Sequence, residues 1–117
     1  MGTWLGVPAD AQTLWRDAFS GSDPGATLSA ACPLCGEKSL RRFYDNPRPT
    51  RATREGFVGR GSSWEWCAAC GAYEHTSCLV PIWWEPLQFV NLNHLTAEPE
   101  QLEIQYRAAG LALDPAL

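Results

Sequence analysis

No apolar run in this chain approaches the roughly 18 residues that a bilayer-crossing helix needs, so no transmembrane helix is expected. The stretch Met1 to Asp10 lacks both the basic and the apolar regions of a signal peptide, and the cytoplasm is the expected compartment. The opening Met-Gly does not continue as a myristoylation signal, because Gly6 stands where Ser or Thr is wanted. Histidine is scarce. His75 and His94 are the only two, and no serine has a His/Asp context that would make it a nucleophile. The glycine-rich stretch Gly56-x-x-Gly59-Arg60-Gly61 lacks the strand-then-helix setting of a phosphate loop. These absences argue against an enzyme.

What is present is the composition of a folded protein. A length of 117 residues fits one domain, residues 1–117. Hydrophobic residues at 45% and charged residues at 19% argue against wholesale disorder. Six tryptophans supply much apolar area per residue, and any left exposed would mark an interface.

The net charge of −4 hides an asymmetry. Lys38, Arg41, Arg42, Arg48, Arg51, Arg54 and Arg60 fall in one stretch, whereas seven acids face one base from Glu65 onward. A basic segment on an acidic body is therefore expected.

Five cysteines are present, an odd number. Cys32-Pro33-Leu34-Cys35-Gly36 and Cys67-Ala68-Ala69-Cys70-Gly71 repeat one pattern. Two residues between cysteines let a short turn present both sulfurs to one ion. The following glycine permits the positive φ with which backbone N–H groups fold toward sulfur. In a reducing compartment such pairs point to a metal and away from disulfides. Four thiolates, from Cys32, Cys35, Cys67 and Cys70, make a closed tetrahedral site with no open position, hence a structural one, and Zn2+ is the expected ion. Iron with electron transfer is the alternative, since sulfur-rich tetrahedral sites suit either metal. Unconnected buried thiols are a third reading. Cys78 is left over and reads as a small buried hydrophobe. His75 is a conceivable spare ligand, but four cysteines already fill the site.

On these two knuckles, and on the strand-rich stretch between and after them, the chain resembles the zinc-ribbon superfamily of the rubredoxin-like fold group. The resemblance spans roughly residues 31–78 and leaves the flanking segments out. It implies a metal held by the four cysteines. It does not select a function, because ribbons serve transcription, translation, enzymes and binding proteins.

Around the knuckles, periodicity predicts helices over Pro8 to Phe19 and Pro99 to Ala109. Their buried stripes would be Ala11, Leu14, Trp15, Ala18 and Phe19 in the first, and Leu102, Tyr106 and Ala109 in the second. Strands are expected over Ser39 to Tyr44, Ser62 to Cys67 and Ala72 to Cys78, with a linker over Ser22 to Ser29 and irregular chain over Val80 to Pro86. The expected fold class is α+β, a small antiparallel ribbon sheet with a helix on either side.

Asn46 to Arg60 reads as a long arginine-rich loop. Its Arg48, Arg51, Arg54 and Arg60 suit carboxylates or phosphates. Trp64 and Trp66 alternate onto one strand face, with Glu65 and Cys67 on the other, and Trp83 and Trp84 follow. These tryptophans are either core or binding surface. The expected function is a non-catalytic module that binds a protein partner, such as a toxin-neutralising immunity protein in a bacterial cytoplasm. A nucleic-acid-binding ribbon using the arginine loop is the alternative, and electron transfer is the third reading.

Overall fold

Alternation along one long central strand decides the architecture. The computed structural model describes residues 4–20 and 27–110. In chain order the elements are β1 (Leu5–Gly6), a 3-10 turn (Ala9–Ala11), α1 (Gln12–Ala18), β2 (Leu40–Asp45), β3 (Phe57–Cys67), β4 (Ala72–Pro81), a second 3-10 turn (Leu92–His94) and α2 (Glu100–Ala108). They form one four-stranded sheet in the order β1-β4-β3-β2. The linker expected at 22–29 lies mostly outside the described residues; Thr27 at its end bridges to Arg41.

The helices and strands expected around the knuckles are present, so the fold is α+β. The sheet is mixed, which corrects the expectation of a purely antiparallel one. β2 and β4 run antiparallel to β3, but β1 lies parallel to β4, with Leu5 N–H and Val7 N–H each donating over 3.0 Å to the carbonyls of Gly71 and Tyr73. A strand of two residues has no room for an alternating pattern. β3 and β4 are also longer than expected. Phe57–Gly61 and Leu79–Pro81 join the ladder despite their glycines and proline, with an irregularity between Phe57 and Arg60 that absorbs the misfit.

Each face of the sheet buries its own cluster. On one face Leu40, Cys67 and Ala72 pack with Trp15 and Phe19 of the first helical segment and with Leu28. On the other, Phe43, Trp64 and Trp66 pack with Leu102 and Tyr106 of α2 and with Trp84 and Val90. The helical stripes hold only in part. Leu14 is 59% exposed, and Ala109 is exposed too.

Two adjacent arginines of β2 are fully buried, although the sequence places them in the basic segment. Neighbours on a strand point to opposite faces, so each reaches a different layer. Arg42 donates from Nη1 to the Phe19 carbonyl at the end of α1 (3.1 Å), and its guanidinium lies 4.6 Å from the Trp83 ring centre. Arg41 pairs with Glu103 of α2 across 3.4 Å. Burial pulls the Arg41 pKa below its ordinary value, and Glu103 opposes that shift. Glu103 also accepts from Trp66 Nε1 (2.8 Å) and from Arg107. Tyr106 donates its hydroxyl to the Arg42 carbonyl (2.7 Å), and burial raises its pKa, which keeps that proton in place.

Two stability outcomes follow from this packing. Glu103→Ala leaves a buried guanidinium and an indole N–H without this acceptor, at a cost of about 3–5 kcal/mol, the range for breaking a buried pair; Glu103→Gln, which keeps an acceptor, costs less. Trp66→Ala costs about 3–5 kcal/mol as a buried large aromatic. Urea unfolding of the variants, with Leu14→Ala as an exposed reference near zero, measures both.

Candidate metal centre

The four cysteines arrive from two turns at one end of the sheet. The first turn precedes β2, and the second joins β3 to β4. In each, the glycine N–H bonds back to the first cysteine carbonyl: Gly36 to Cys32 at 2.8 Å, and Gly71 to Cys67 at 3.0 Å. Gly36 and Gly71 have φ of 81° and 83°, a conformation that side chains with a Cβ rarely adopt. Cys32 N–H to Glu37 O (2.8 Å) closes the first turn, and Ala68 N–H to Ser39 O (2.9 Å) straps the second to the start of β2. The register Leu40↔Cys67 then sets the turns side by side.

The four sulfurs lie within 4.8 Å of one another. Cys32 and Cys70 sulfurs are 3.9 Å apart, and those of Cys35 and Cys67 are 3.6 Å apart. Four sulfurs at about 2.3 Å from one tetrahedral ion would be about 3.8 Å apart, so the donor set fits a metal. Backbone N–H groups already point at the sulfurs: Leu34 at Cys32 (3.4 Å), Glu37 at Cys35, Ala69 and Cys70 at Cys67, and Ala72 at Cys70. Burial, followed by the neighbouring cysteines, raises the Cys67 thiol pKa well above its ordinary value, and burial raises that of Cys70. For Cys35 burial acts the same way, but the Glu37 N–H and the other sulfurs outweigh it and lower the pKa. A bound cation would reverse the cost of gathering thiolates, holding them deprotonated. Cys32 and Cys67 are buried while Cys35 and Cys70 are exposed, so the site sits at the surface with one side walled by the Trp15 cluster.

The remaining candidates are placed elsewhere. Cys78 is half-buried on β4 opposite Gly61, outside the sulfur group, with its thiol pKa raised by burial. His75 is also outside that group; it stacks on Trp64 with ring centres 4.2 Å apart, and its Nδ1 lies 3.0 Å from the Ser63 carbonyl. Trp64, Trp66 and Trp84 are buried, and Trp83 is half-buried against Arg42 and Tyr44. Arg48, Arg51, Arg54 and Arg60 are all exposed and form no ion pair with the described residues.

Sequence reasoning missed a row of charge across the sheet: Arg42, Glu65 and Glu74 are consecutive cross-strand neighbours. Burial, then Glu74, pushes the Glu65 carboxyl up to about 7, with Arg42 opposing. Only the register reveals that alignment.

Comparison of the chain with protein-family models, with curated proteins and with solved structures gives no match. The likeness to zinc ribbons thus rests on the two knuckles, and the sulfur cluster is the feature that carries it.

Loss of one ligand separates the metal group from the spare thiol. Cys35→Ser or Cys70→Ser should lose the metal and at least about 3 kcal/mol of stability, because metal-binding energy in small thiolate sites is folding energy. Cys78→Ser should keep full metal content. Elemental analysis alongside thermal melting, with and without chelator, reads both.

Proposed function

We propose that the chain is a non-catalytic module that docks a protein partner through the β2–β3 connection, with a structural zinc at the opposite end of the sheet. The observation that carries this reading is the display of Arg48, Arg51 and Arg54 in that connection and of Arg60, which the ladder places on β3 and not in the loop expected for it, all exposed and without ion pairs among the described residues. Their segment is ordered by bonds of its own: Thr50 N–H to Val58 O (2.7 Å), Thr53 N–H to Phe57 O (2.8 Å) and Ile82 N–H to Gly56 O (2.8 Å). An ordered loop loses less entropy on docking than a mobile one. Guanidinium groups displayed in this way suit the carboxylates of a partner.

Nucleic acid is the second reading, and the placement of the tryptophans weighs against its single-stranded form. Base stacking needs exposed rings, and Trp64, Trp66 and Trp84 are buried. The acidic remainder of the chain, seven acids to one base from Glu65 onward, opposes phosphate in low salt. A protein partner instead can place acids on the arginines and bases on the acidic body. Neutralisation of a toxin is one process that fits such a module.

Zinc is favoured over iron because a closed four-cysteine site that is purely structural needs no redox change. Electron transfer would instead need iron. The purified protein should be colourless, and a visible sulfur-to-iron absorption would turn the reading to electron transfer.

Titration with random single- and double-stranded DNA and RNA at about 0.15 M salt tests the choice of partner. The expected outcome is no binding tighter than about 1 μM. Tighter binding with a log–log salt slope near −3 to −4 on duplex, abolished when the four arginines are changed to Gln, would overturn the protein-partner reading. On that reading the same four-Gln variant should keep its thermal stability and lose the partner captured by the wild type from its host, identified by mass spectrometry.

A further inference from the structure

The far end of the sheet from the cysteines carries a groove of about 440 Å³, between the end of β2 and the segment that follows β4. That is within the range of about 300–1,000 Å³ that small-molecule sites occupy. Phe43, Trp84, Leu87 and Val90 contribute apolar and aromatic wall. One acid, Asp45, lines it, and no Lys, Arg or His does. Asp45 is half-buried and takes part in no ion pair among the described residues.

The lip that holds Asp45 is built closely onto β3. A Cβ at Gly61 would collide with the Asp45 carbonyl, and one at Gly59 with the Asn46 amide, so two glycines let the end of β2 lie against the neighbouring strand. Asn46 Nδ2 donates to the Val58 carbonyl (3.2 Å), which orients the amide, and its Oδ1 is buried without a hydrogen-bond partner. The Asn46 amide thus belongs to the packing of the lip against β3, and the groove itself sets a carboxylate without a counter-ion among the described residues beside an apolar wall. A carboxylate in an apolar wall gains most from a cation.

We propose that this groove binds a small organic cation, an ammonium or guanidinium head on an apolar body. The head meets Asp45, and the body lies along Trp84 and Leu87. The groove shares Asn46 and Pro49 with the connection that displays the arginines, but the proposed contacts do not use those arginines.

The test uses three probes that share one chain and differ in charge: n-hexylammonium, 1-hexanol and hexanoate. Each is titrated into the full-length protein, and binding is read from the Trp84 indole N–H resonance. The expected result is saturable binding of hexylammonium, with hexanol and hexanoate each at least about tenfold weaker, a difference equivalent to a charge-assisted contact. Asp45→Asn should remove most of that preference while the thermal midpoint holds, and Leu87→Trp, which fills the groove, should abolish binding of all three. Equal binding of hexylammonium and hexanol, preference for hexanoate, an unchanged preference in Asp45→Asn, or no saturable binding would each overturn the proposal. A capped Gly-Lys-Gly peptide binding more tightly than hexylammonium would also overturn it, by assigning the cation to a protein partner.

Discussion

Two adjacent buried charges, Arg41 and Arg42, hold the layers of this protein together. Because strand neighbours face opposite ways, one dipeptide reaches both helices, Arg42 through the Phe19 carbonyl and Arg41 through Glu103. A buried guanidinium is costly unless it is paired, so each helix has a defined seat. Trp66, Tyr106 and Arg107 converge on the same groups. Hydrophobic area alone would let either helix slide along its face of the sheet; the polar contacts select one position.

The remaining organisation runs along β3, whose eleven residues join two chemically different ends. At its C-terminal end, Cys67 is buried among sulfurs and apolar side chains, while Cys35 and Cys70 face solvent. At its N-terminal end the β2–β3 connection folds back on the strand, carrying exposed arginines, and the aromatic groove opens beside it. The sheet thus carries the sulfur cluster at one end and the arginines and groove at the other. That polarity underlies the proposed partner-binding role.

Aromatic residues divide along the same lines. Phe43, Trp64, Trp66, Trp84 and Tyr106 form a buried cluster with tilted and edge-on ring contacts, such as Phe43 to Trp84 at 5.9 Å and Trp66 to Tyr106 at 5.1 Å. Such rings supply the apolar area that a short chain with few aliphatic core positions would otherwise lack. The high tryptophan content thus serves packing first, and partly exposed rings such as Trp4, Tyr73 and Trp83 form the rim of that cluster.

The grouping of Cys32, Cys35, Cys67 and Cys70 was legible in the sequence because the knuckle is a local device: two cysteines, a two-residue gap and a glycine determine its geometry within one turn. Both helices, β2, and the knuckle-proximal parts of β3 and β4 were legible for a similar reason, since apolar spacing is read over a short window, whereas Phe57–Gly61 and Leu79–Pro81 join the ladder only through pairing. The parallel strand β1 was not, because two residues have no period and the pairing is made by β4. Nor was the fate of Arg41 and Arg42, which belong by composition to the basic segment; burial was decided by Glu103 and Phe19, distant in the chain. The arginines that stay exposed, the row Arg42, Glu65 and Glu74, and the groove beside Asp45 also depend on register and on which segments meet. Local chemistry determined the cysteine knuckles and most of the elements, whereas the partners of each charge were settled only by tertiary contact, because a charge's environment is set by neighbours that sequence distance does not reveal.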